Sequence, residues 1–564
     1  MLKLVSIGRR RSRHRRSIKQ GPRRNRKSAR LARKGGRSAT AAPGRAGFAP
    51  HDAGGAACGC PALGTRFASR RVMHQSEPVV VIGSGPAGAS AAWFLSRAGL
   101  RTLVLEAGPA GADLGFTARV RGITVAKRKP PLRARADVLA TSDPTAVLFE
   151  SLAPGGLSNH WACAVPRFSP DDFADAKRGG APFAWPIGYS DLLPWYEQVE
   201  PLLHIAGSTQ DAPNLPAGIM RRPTQLGSDW GLVAKLAAAG GRSVIPMPYA
   251  YGGDTTLTRS ATAFNAFKRL LEPAQSAGRL GVQCASSVQR LEWSRAEKRV
   301  VAVICRTPHG ESRIPCRAVV LAAGAVNSAQ ILLESRDVDW PRGIGNEHDL
   351  VGRYLHDHPL AKLVVRLGRG LSLSPATYLT RPDLKRSEPL YAAAFMQWGD
   401  VRTRAKSLLS IRPGKAKSLG FSIFGTMRPT PDDRVSLLAG AGHGERARLA
   451  YALAYPQEAV QVLRHARDEL MAILEDAGLE PRVDVFRIEP PGTSVHYGGT
   501  CRMHATREHG VVDEKCRIFA ARNVAVADSA VFTTGPEKNP VLTAMALAAR
   551  AGASLAEDLR TGLA

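Results

Sequence analysis

Three glycines at a fixed spacing mark the first place in the chain where residue types suggest chemistry. Gly83, Gly85 and Gly88 follow the apolar run VVVI and precede an alanine-rich segment. In a strand, turn and helix, the first glycine makes the tight turn, the second lets the backbone approach a pyrophosphate, and the third lets helix and strand pack closely. The amides and the dipole at the helix N-terminus favour the phosphate anion. The pattern predicts a dinucleotide site.

An acidic residue stands where such a site needs one. Glu106 ends the second predicted strand, 18 residues beyond Gly88, where a carboxylate can accept a hydrogen bond from a ribose 2′-hydroxyl. The loop alone does not separate NAD from FAD, so an NAD-linked dehydrogenase is an alternative. A separate VVLAAGAVNSAQILL segment and the C-terminal motifs described below favour FAD.

The pattern of apolar residues predicts an α/β protein around this loop. A βαβ unit begins at Val79, with its helix expected from Ala87 to Ala98. A second α/β stretch runs from Ala263 to Ser335 and begins with a helix expected from Ala263 to Ala277. Residues 182–204 are expected to contain a helix that Ser190 or Asp191 could cap. Strand-rich segments between about 360 and 490 surround a predicted helix from Val460 to Ala477 and indicate a second domain. One face of that helix is apolar, and Gly478 is expected to end it as a C′ residue.

Six ordered motifs carry a resemblance to a known family. They are LEAG at 105–108, GGLSNHW at 155–161, LVGRYLHDHP at 350–359, HYGGTCRM at 496–503, VADSAVF at 526–532 and NPVLTAMALAAR at 539–550. With these motifs the chain resembles the glucose–methanol–choline (GMC) oxidoreductases from residue 77 to 560. The resemblance implies a discontinuous, Rossmann-like FAD-binding domain, a second α+β substrate domain, and oxidation of an alcohol to a carbonyl.

The resemblance and the element pattern together divide the chain into six segments, three of which build the FAD-binding domain. The expected order is a basic, disordered or non-native extension (1–75), a first FAD-binding segment (77–190), a connecting or lid region (191–260), a second FAD-binding segment (261–359), the substrate domain (360–489) and a third FAD-binding segment (490–560).

His496 and Asn539 match the catalytic pair of the family. Removal of a hydride from a C–OH carbon needs a base for the hydroxyl proton and a polar partner for the oxygen. In the family a histidine precedes the GGT-type turn, and a histidine or asparagine precedes a proline some 40 residues later; here the separation is 43. The resemblance implies that His496 is the base and that Asn539 orients the substrate oxygen.

Further cofactor contacts are implied by the same resemblance. Asp528 is expected to hold FAD near the ribityl chain, and Val288 lies where the family contacts adenine. Asn539 and Pro540 open an apolar helix, with Pro540 expected at its first position. If that helix N-terminus faces the flavin, its dipole favours negative charge there.

The loop from Gly155 to Pro166 narrows the resemblance to pyranose 2-oxidase and its sugar-oxidising relatives. Gly156, Ser158, Asn159 and His160 are the expected cofactor contacts within this loop. The matching histidine of pyranose 2-oxidase carries a covalent bond to the flavin, so His160 is expected either to be the point of attachment or to pack beside the ring system.

His356, Asp357 and His358 suggest a metal site, since histidine and carboxylate side chains are clustered. We favour a structural turn instead, because the family has an LHDHP-like turn at this place. No metal is expected.

The net charge of +31 suggests a nucleic-acid or membrane-binding protein. Residues 1–71, however, hold 20 Lys and Arg and one acid, Asp52, so most of the excess lies in the tail. The tail is acid-poor and resembles a transit peptide, but an upstream extension, with Met73 as the natural start, is the preferred interpretation. The rival hypothesis from another class is a basic binding protein whose flavin fold is vestigial.

The remaining composition suits a cytoplasmic enzyme. The eight cysteines show no CxxC pair, and no run approaches the 18 or so apolar residues of a spanning helix. The expected partners are a small alcohol, with a sugar or glycoside as best guess, and an electron acceptor that is oxygen, a quinone or a protein. Neither nucleic-acid binding nor membrane insertion is expected.

Overall fold

The fold is described from a computed structural model. The structure describes residues 77–111, 117–120, 123–126, 132–210, 212–213, 215–250, 264–372, 377–382, 393–398, 415–438 and 448–563. The predicted basic segment 1–75 and the last residues of the predicted connecting region therefore lie outside the described residues.

A six-stranded sheet, the nucleotide sheet, forms the centre of the first region. Its first five strands are parallel and its last strand is antiparallel. The four-residue strands at its centre are apolar and almost fully buried, as expected of parallel strands covered on both faces. In spatial order the strands are Gly281–Gln283, Thr102–Leu105, Val79–Ile82, Ala318–Leu321, Ala521–Val526 and Arg517–Ile518.

The order of these strands reverses at Val79–Ile82. The next strand in sequence, Thr102–Leu105, lies on one side of it, and Ala318–Leu321 lies on the other. In open α/β sheets, ligands bind outside the carboxyl ends of the strands at such a switch point. Gly83 directly follows the central strand, so the glycine loop lies at this position.

Three helices pack around the nucleotide sheet. The loop helix Pro86–Arg97 begins one residue earlier than predicted, and the C-terminal helix Val541–Thr561 packs along it. Ser90 donates through Oγ to the Met545 carbonyl at 2.8 Å. Pro540 is the N-cap of the C-terminal helix and not its first residue, so the predicted position of this proline is wrong by one residue. The third helix is Ala325–Glu334.

A second six-stranded sheet, the substrate sheet, is antiparallel throughout. Helix Gln457–Asp476 and helix Trp230–Ala239 pack on one of its faces. The predicted apolar positions of the first helix are buried there, and Gly478 follows it with a φ of +65°, as predicted. In spatial order the strands are Val244–Pro246, Thr377–Leu379, Ala393–Trp398, Lys415–Gly425, Leu360–Ser372 and Pro481–Ile488.

Smaller elements complete the described chain. The other strands are Thr117–Val120, Ile123–Ala126, Arg133–Ala134, Val138–Ala140, Phe149–Glu150, Ile205–Gly207, Arg222–Pro223, Tyr249–Ala250, Ser287–Ser294, Arg299–Thr307, Gly310–Pro315, Arg434–Leu437 and Leu449–Ala452. The other helices are Pro170–Arg178, Tyr189–Leu203 and Glu272–Ser276, with a π-helical turn at Phe267–Leu271 and 3-10 turns at Gly156–Asn159, Ala181–Phe183 and Ser529–Val531.

Two predicted helices differ in detail from the structure. The helix expected from Ala263 to Ala277 is a π-helical turn continued by a short α-helix, and its expected start lies outside the described residues. The helix beginning at Tyr189 has Gly188 as its N-cap, and Asp191 accepts a hydrogen bond from the Gly188 amide at 2.8 Å. Neither Ser190 nor Asp191 is therefore the N-cap residue.

The described chain thus combines an α/β nucleotide region, assembled from discontinuous segments, with a second α+β region, and the predicted fold class is confirmed. The six cysteines within the described residues are free thiols. Among the described helices, none combines the length and the apolar character that a membrane crossing requires.

Candidate active site

The three glycines of the loop meet different surroundings. A Cβ atom at Gly88 would overlap the Gly83 carbonyl oxygen, and one at Gly83, whose φ is +103°, would press against Ala322. A Cβ atom at Gly85 would have no heavy atom within 4 Å. The first and third glycines are therefore required by packing, whereas the space above Gly85 is open, as a close approach by a phosphate group needs.

Ser84 connects three segments of the cofactor region, by which we mean the glycine loop, the end of strand Thr102–Leu105 and the loop that begins at Gly155. Its Oγ donates to Glu106 and accepts from the Gly155 amide at 2.8 Å. The other oxygen of Glu106 accepts from the Gly108 amide at 2.7 Å. Burial raises the pKa of Glu106, while these hydrogen bonds oppose the rise. Glu106 is thus held rigidly at the end of its strand. Its Oε2 accepts from both the amide and the hydroxyl of Ser84, so Oε1 is the oxygen that keeps a further lone pair for a ribose hydroxyl.

The loop of Gly156, Ser158, Asn159 and His160 lies against the glycine loop. A Cβ at Gly156 would lie 3.5 Å from the Cα of Gly85. Ser158 donates to the Gly155 carbonyl at 2.6 Å, and Asn159 donates to the Gly156 carbonyl at 2.8 Å. His160 ends the short 3-10 turn and is partly buried. The structure therefore places the loop that carries these four predicted residues against the glycine loop.

Val288 and Asp528 lie on opposite flanks of the same region. Val288 is in the strand that begins next to Ser286, whose amide donates to the Glu106 carbonyl at 2.9 Å. The buried Asp528 carboxylate accepts from the Gly324 amide at 2.8 Å and from the Ala530 amide at 2.8 Å. Asp528 thus caps the 3-10 turn Ser529–Val531 and holds Gly324, the N-cap residue of helix Ala325–Glu334. Burial raises the pKa of Asp528.

His496 and Asn539 meet although 43 residues separate them. Asn539 Nδ2 lies 3.2 Å from His496 Nε2. An amide nitrogen can only donate, so His496 Nε2 is the acceptor and the proton of the neutral imidazole is on Nδ1. Nε2 therefore carries the lone pair that a base needs to accept the proton of a hydroxyl group.

A second histidine completes this arrangement. His358 Nδ1 lies 3.2 Å from His496 Nδ1, and the two rings stand edge to face at 4.9 Å. With the proton of His496 on Nδ1, that nitrogen donates to His358. Burial lowers the pKa of His358 well below its ordinary value, so His358 is neutral and able to accept.

The turn that carries His358 also holds the backbone of His496. The Asp357 carboxylate accepts from the His496 amide at 2.6 Å and from the Ser494 amide at 3.0 Å. Burial raises the pKa of Asp357 to about 6 against these hydrogen bonds. The neighbouring His356 packs so closely on Gly498 and Gly499 that a Cβ at either glycine would collide with its ring.

The substrate sheet supplies the far wall of this site. The ring of Phe424, on strand Lys415–Gly425, lies 5.5 Å from the ring of His496. Burial and the positive charge of Lys362 lower the pKa of His496 to about 3. His496 is therefore neutral at physiological pH, which is the protonation state that a base requires.

Four residues of this region were not predicted as contributors: Ser84, His358, Phe424 and Lys362. Ser84 stands inside the glycine motif, so its position was a usable signal. His358 was noticed only as a member of the cluster weighed as a metal site. Within the described residues no three His, Cys, Asp or Glu side chains are arranged to hold a metal ion. Nothing in the sequence connects Phe424 or Lys362 with His496, because pairing of the sheet strands brings them there.

Two family models match the chain. The model described as GMC oxidoreductase matches residues 447–548, which include His496 and Asn539, and the model described as FAD binding domain matches residues 78–353. The chain belongs to the GMC oxidoreductase family. It is an FAD-dependent oxidoreductase that acts on CH–OH groups.

Relatives of known activity are similar over most of their length. The chain is 24% identical to 2-methyl-1,2-propanediol dehydrogenase of Mycolicibacterium austroafricanum, over 84% of this chain and 94% of that protein. It is 24% identical to the fructose dehydrogenase large subunit of Gluconobacter japonicus, over 86% and 99%. The crystal structure of pyridoxine 4-oxidase from Mesorbium loti has the same fold, with a TM-score of 0.56, 18% identity, and coverage of 85% of this chain and 99% of that chain.

Proposed function

We propose that this enzyme oxidises a hydroxyl group of a polar alcohol, with a sugar or glycoside as the substrate class, and that His496 and Asn539 are its catalytic residues. The observation that carries the proposal is the contact between His496 Nε2 and Asn539 Nδ2 at 3.2 Å, where the substrate sheet meets the nucleotide region. FAD, when bound, supplies the acceptor at N5 for the hydride that leaves the carbon.

The protein side chains divide the remaining work. A substrate hydroxyl placed between His496 Nε2 and Asn539 Nδ2 can donate to the imidazole and accept from the amide at once. As the carbon–hydrogen bond breaks, the hydroxyl proton passes to His496 Nε2. The Asn539 amide stabilises the negative charge that develops on the oxygen. Phe424 limits access of water to His496 from the side of the sheet.

The substrate class is supported by a relative and by the loop at Gly155–Pro166. The relative is a fructose dehydrogenase subunit that matches 86% of this chain. The loop resembles that of pyranose 2-oxidase, and we propose that the chain belongs to that sugar-oxidising branch. We further propose His160 as the point at which FAD can be held covalently, since its loop lies against the glycine loop.

The test uses the purified chain and its visible spectrum. Sugars, glycosides and simple alcohols are added one at a time without oxygen, and loss of the visible flavin band is followed for each. We expect one class of sugar or glycoside to bleach the band in the wild-type protein and not in the His496→Gln variant. Bleaching by no alcohol would contradict the proposed reaction, and a colourless protein would contradict the cofactor.

Covalent attachment is tested on the same sample by acid precipitation. Colour retained in the precipitate of the wild-type protein and lost in that of His160→Ala supports attachment at His160. Colour released from the wild-type precipitate contradicts it and leaves the assignment of His496 and Asn539 unaffected.

A further inference from the structure

Lys362 is a partly buried cation that the reaction described above does not use. It lies on strand Leu360–Ser372, where its neighbours Ala361 and Leu363 are fully buried against the helical side of the substrate sheet. Successive side chains of a strand point to opposite faces, so Lys362 points to the other face, which is the face of the active site.

The register of the sheet places Lys362 close to the base. Lys362 pairs directly with Ser422 on the neighbouring strand, and its Nζ donates to Ser422 Oγ at 2.7 Å. Phe424 follows Ser422 by two residues on the same face, about 7 Å further along the strand. Because the Phe424 ring contacts His496, the Lys362 ammonium lies one row of side chains from the catalytic base.

Lys362 has no anionic partner at ion-pair distance among the described residues. Arg487, which pairs with Lys362 on the neighbouring strand, forms an ion pair with Glu489. Arg487 Nη2 lies 2.6 Å from Glu489 Oε1. Glu489 therefore acts on Lys362 only from further away, through its charge. Burial of a cation without a paired anion costs free energy, which points to a counter-charge that arrives with a ligand.

We propose that Lys362, positioned by Ser422, forms a subsite for a carboxylate group on the substrate, so that the enzyme prefers acidic sugars. The inference deepens the proposed function and rests on it. The ammonium has three N–H groups, of which one is donated to the buried Ser422 hydroxyl, so two remain for one carboxylate. The single cation matches a single negative charge. A phosphate group, with its larger charge, is the alternative anion.

Electrostatics at the base gives independent support. The positive charge of Lys362 lowers the pKa of His496 and therefore weakens it as a proton acceptor. A carboxylate bound at Lys362 neutralises that charge and restores the basicity of His496 when the substrate is in place. A neutral substrate does not neutralise the charge of Lys362, so the pKa of His496 stays low.

Three sugars that differ only at C6 test the subsite: D-glucuronate, D-glucose and D-glucose 6-phosphate. Equilibrium dissociation constants are measured on the oxidised, FAD-containing full chain from perturbation of the visible band, and bleaching rates are measured without oxygen. We expect D-glucuronate to bind about tenfold more tightly than D-glucose, as a charge-assisted hydrogen bond predicts. The preference should fall below about threefold in Lys362→Gln, which keeps a donor for Ser422, and should return in Lys362→Arg.

The matched control is Arg366→Gln. Arg366 lies on the same strand, is exposed, and pairs with Asp484 at 2.9 Å, so its loss removes the same charge outside the subsite. We expect this variant to keep the wild-type preference.

Each other outcome decides against the inference. Equal binding of the three sugars, or no binding of any of them, would overturn the subsite. A preference for D-glucose 6-phosphate would mean that the subsite binds a phosphate group and not a carboxylate. If Lys362→Gln and Arg366→Gln lose the preference for D-glucuronate equally, the preference comes from the general charge of the surface and not from Lys362. In all these cases bleaching by some neutral sugar leaves the proposed function standing, whereas bleaching by no alcohol removes both.

Discussion

The two regions that meet at the active site are built in different ways. The cofactor region is made largely of backbone: glycines with room for a phosphate, amides at a helix N-terminus, and short hydrogen bonds that hold Glu106. The site around His496 is made of side chains from four distant parts of the chain, 356–362, 422–424, 494–496 and Asn539. A local sequence motif can therefore specify the first region, whereas only tertiary packing can assemble the second.

The strongest test of this comparison removes the base. His496→Gln should lower the rate of flavin bleaching by the best substrate by roughly 100- to 10,000-fold, because general base catalysis contributes about that much. FAD content should be unchanged, since the cofactor region does not depend on this side chain. Single-turnover kinetics without oxygen and the flavin-to-protein absorbance ratio measure the two quantities. His465→Ala, at an exposed histidine, is the control. Undiminished bleaching in His496→Gln would refute the assignment.

The next test disturbs the backbone of the cofactor region. Gly85→Ala should fold, because its Cβ meets no protein atom within 4 Å, yet the methyl group would occupy space that the cofactor approaches. We expect FAD affinity to fall by roughly 10- to 100-fold, since an extra carbon in a close contact costs about 1–3 kcal/mol. Titration of the apoprotein with FAD measures the change. Gly231→Ala, which also has open space around it, should bind FAD normally. An unchanged affinity in Gly85→Ala would mean that the loop does not contact the cofactor.

A smaller effect is expected where one side chain acts through another. His358→Phe removes the acceptor for the Nδ1 proton of His496, so the two tautomers of the base become closer in energy. We expect kcat to fall roughly tenfold with little change in KM, comparable to the loss of other orienting hydrogen bonds.

His358→Asn serves as the matched rescue variant, because its amide oxygen can still accept that proton. A merely structural role for His358 would predict equal loss in both variants, together with altered thermal stability.

The smallest expected effect is a shift in pH dependence. The base must be neutral, so activity is lost as the pH falls through the pKa of His496, which is about 3. Lys362→Gln removes one of the two causes of that low pKa, so the acidic limb of kcat/KM should move to higher pH. A pH profile of both proteins with a neutral alcohol measures the shift. Movement of the limb to lower pH, or no movement, would show that the charge of Lys362 does not reach His496.

The sequence predicted the elements whose signals are local. The strands at Val79–Ile82 and Thr102–Leu105, the loop helix, and the helix ending before Gly478 follow from apolar periodicity and glycine placement. The errors at Pro540 and at Asp191 are shifts of one to three residues at helix starts. At both helix starts, several neighbouring residues can supply the capping hydrogen bonds, so the sequence does not fix which of them is the N-cap residue.

The family motifs extended the prediction to the active site. His496 and Asn539 were identified through their motifs, and the structure brings their side chains to 3.2 Å. The cluster of His356, Asp357 and His358 shows the limit of composition, because the same residue types suit a metal site. In the structure the Asp357 carboxylate accepts from backbone amides and the His358 ring contacts His496, so each of these side chains has a partner in the protein.

The sequence by itself determined the glycine loop, the first strands and helices, and the two residues that we propose as catalytic, because each is written in neighbouring residues or in a continuous motif. Only the tertiary structure decided that His358, Phe424 and Lys362 surround His496. The physical reason is that the register between strands and the packing of a turn against a sheet join residues far apart in the chain, and neither leaves a local signal.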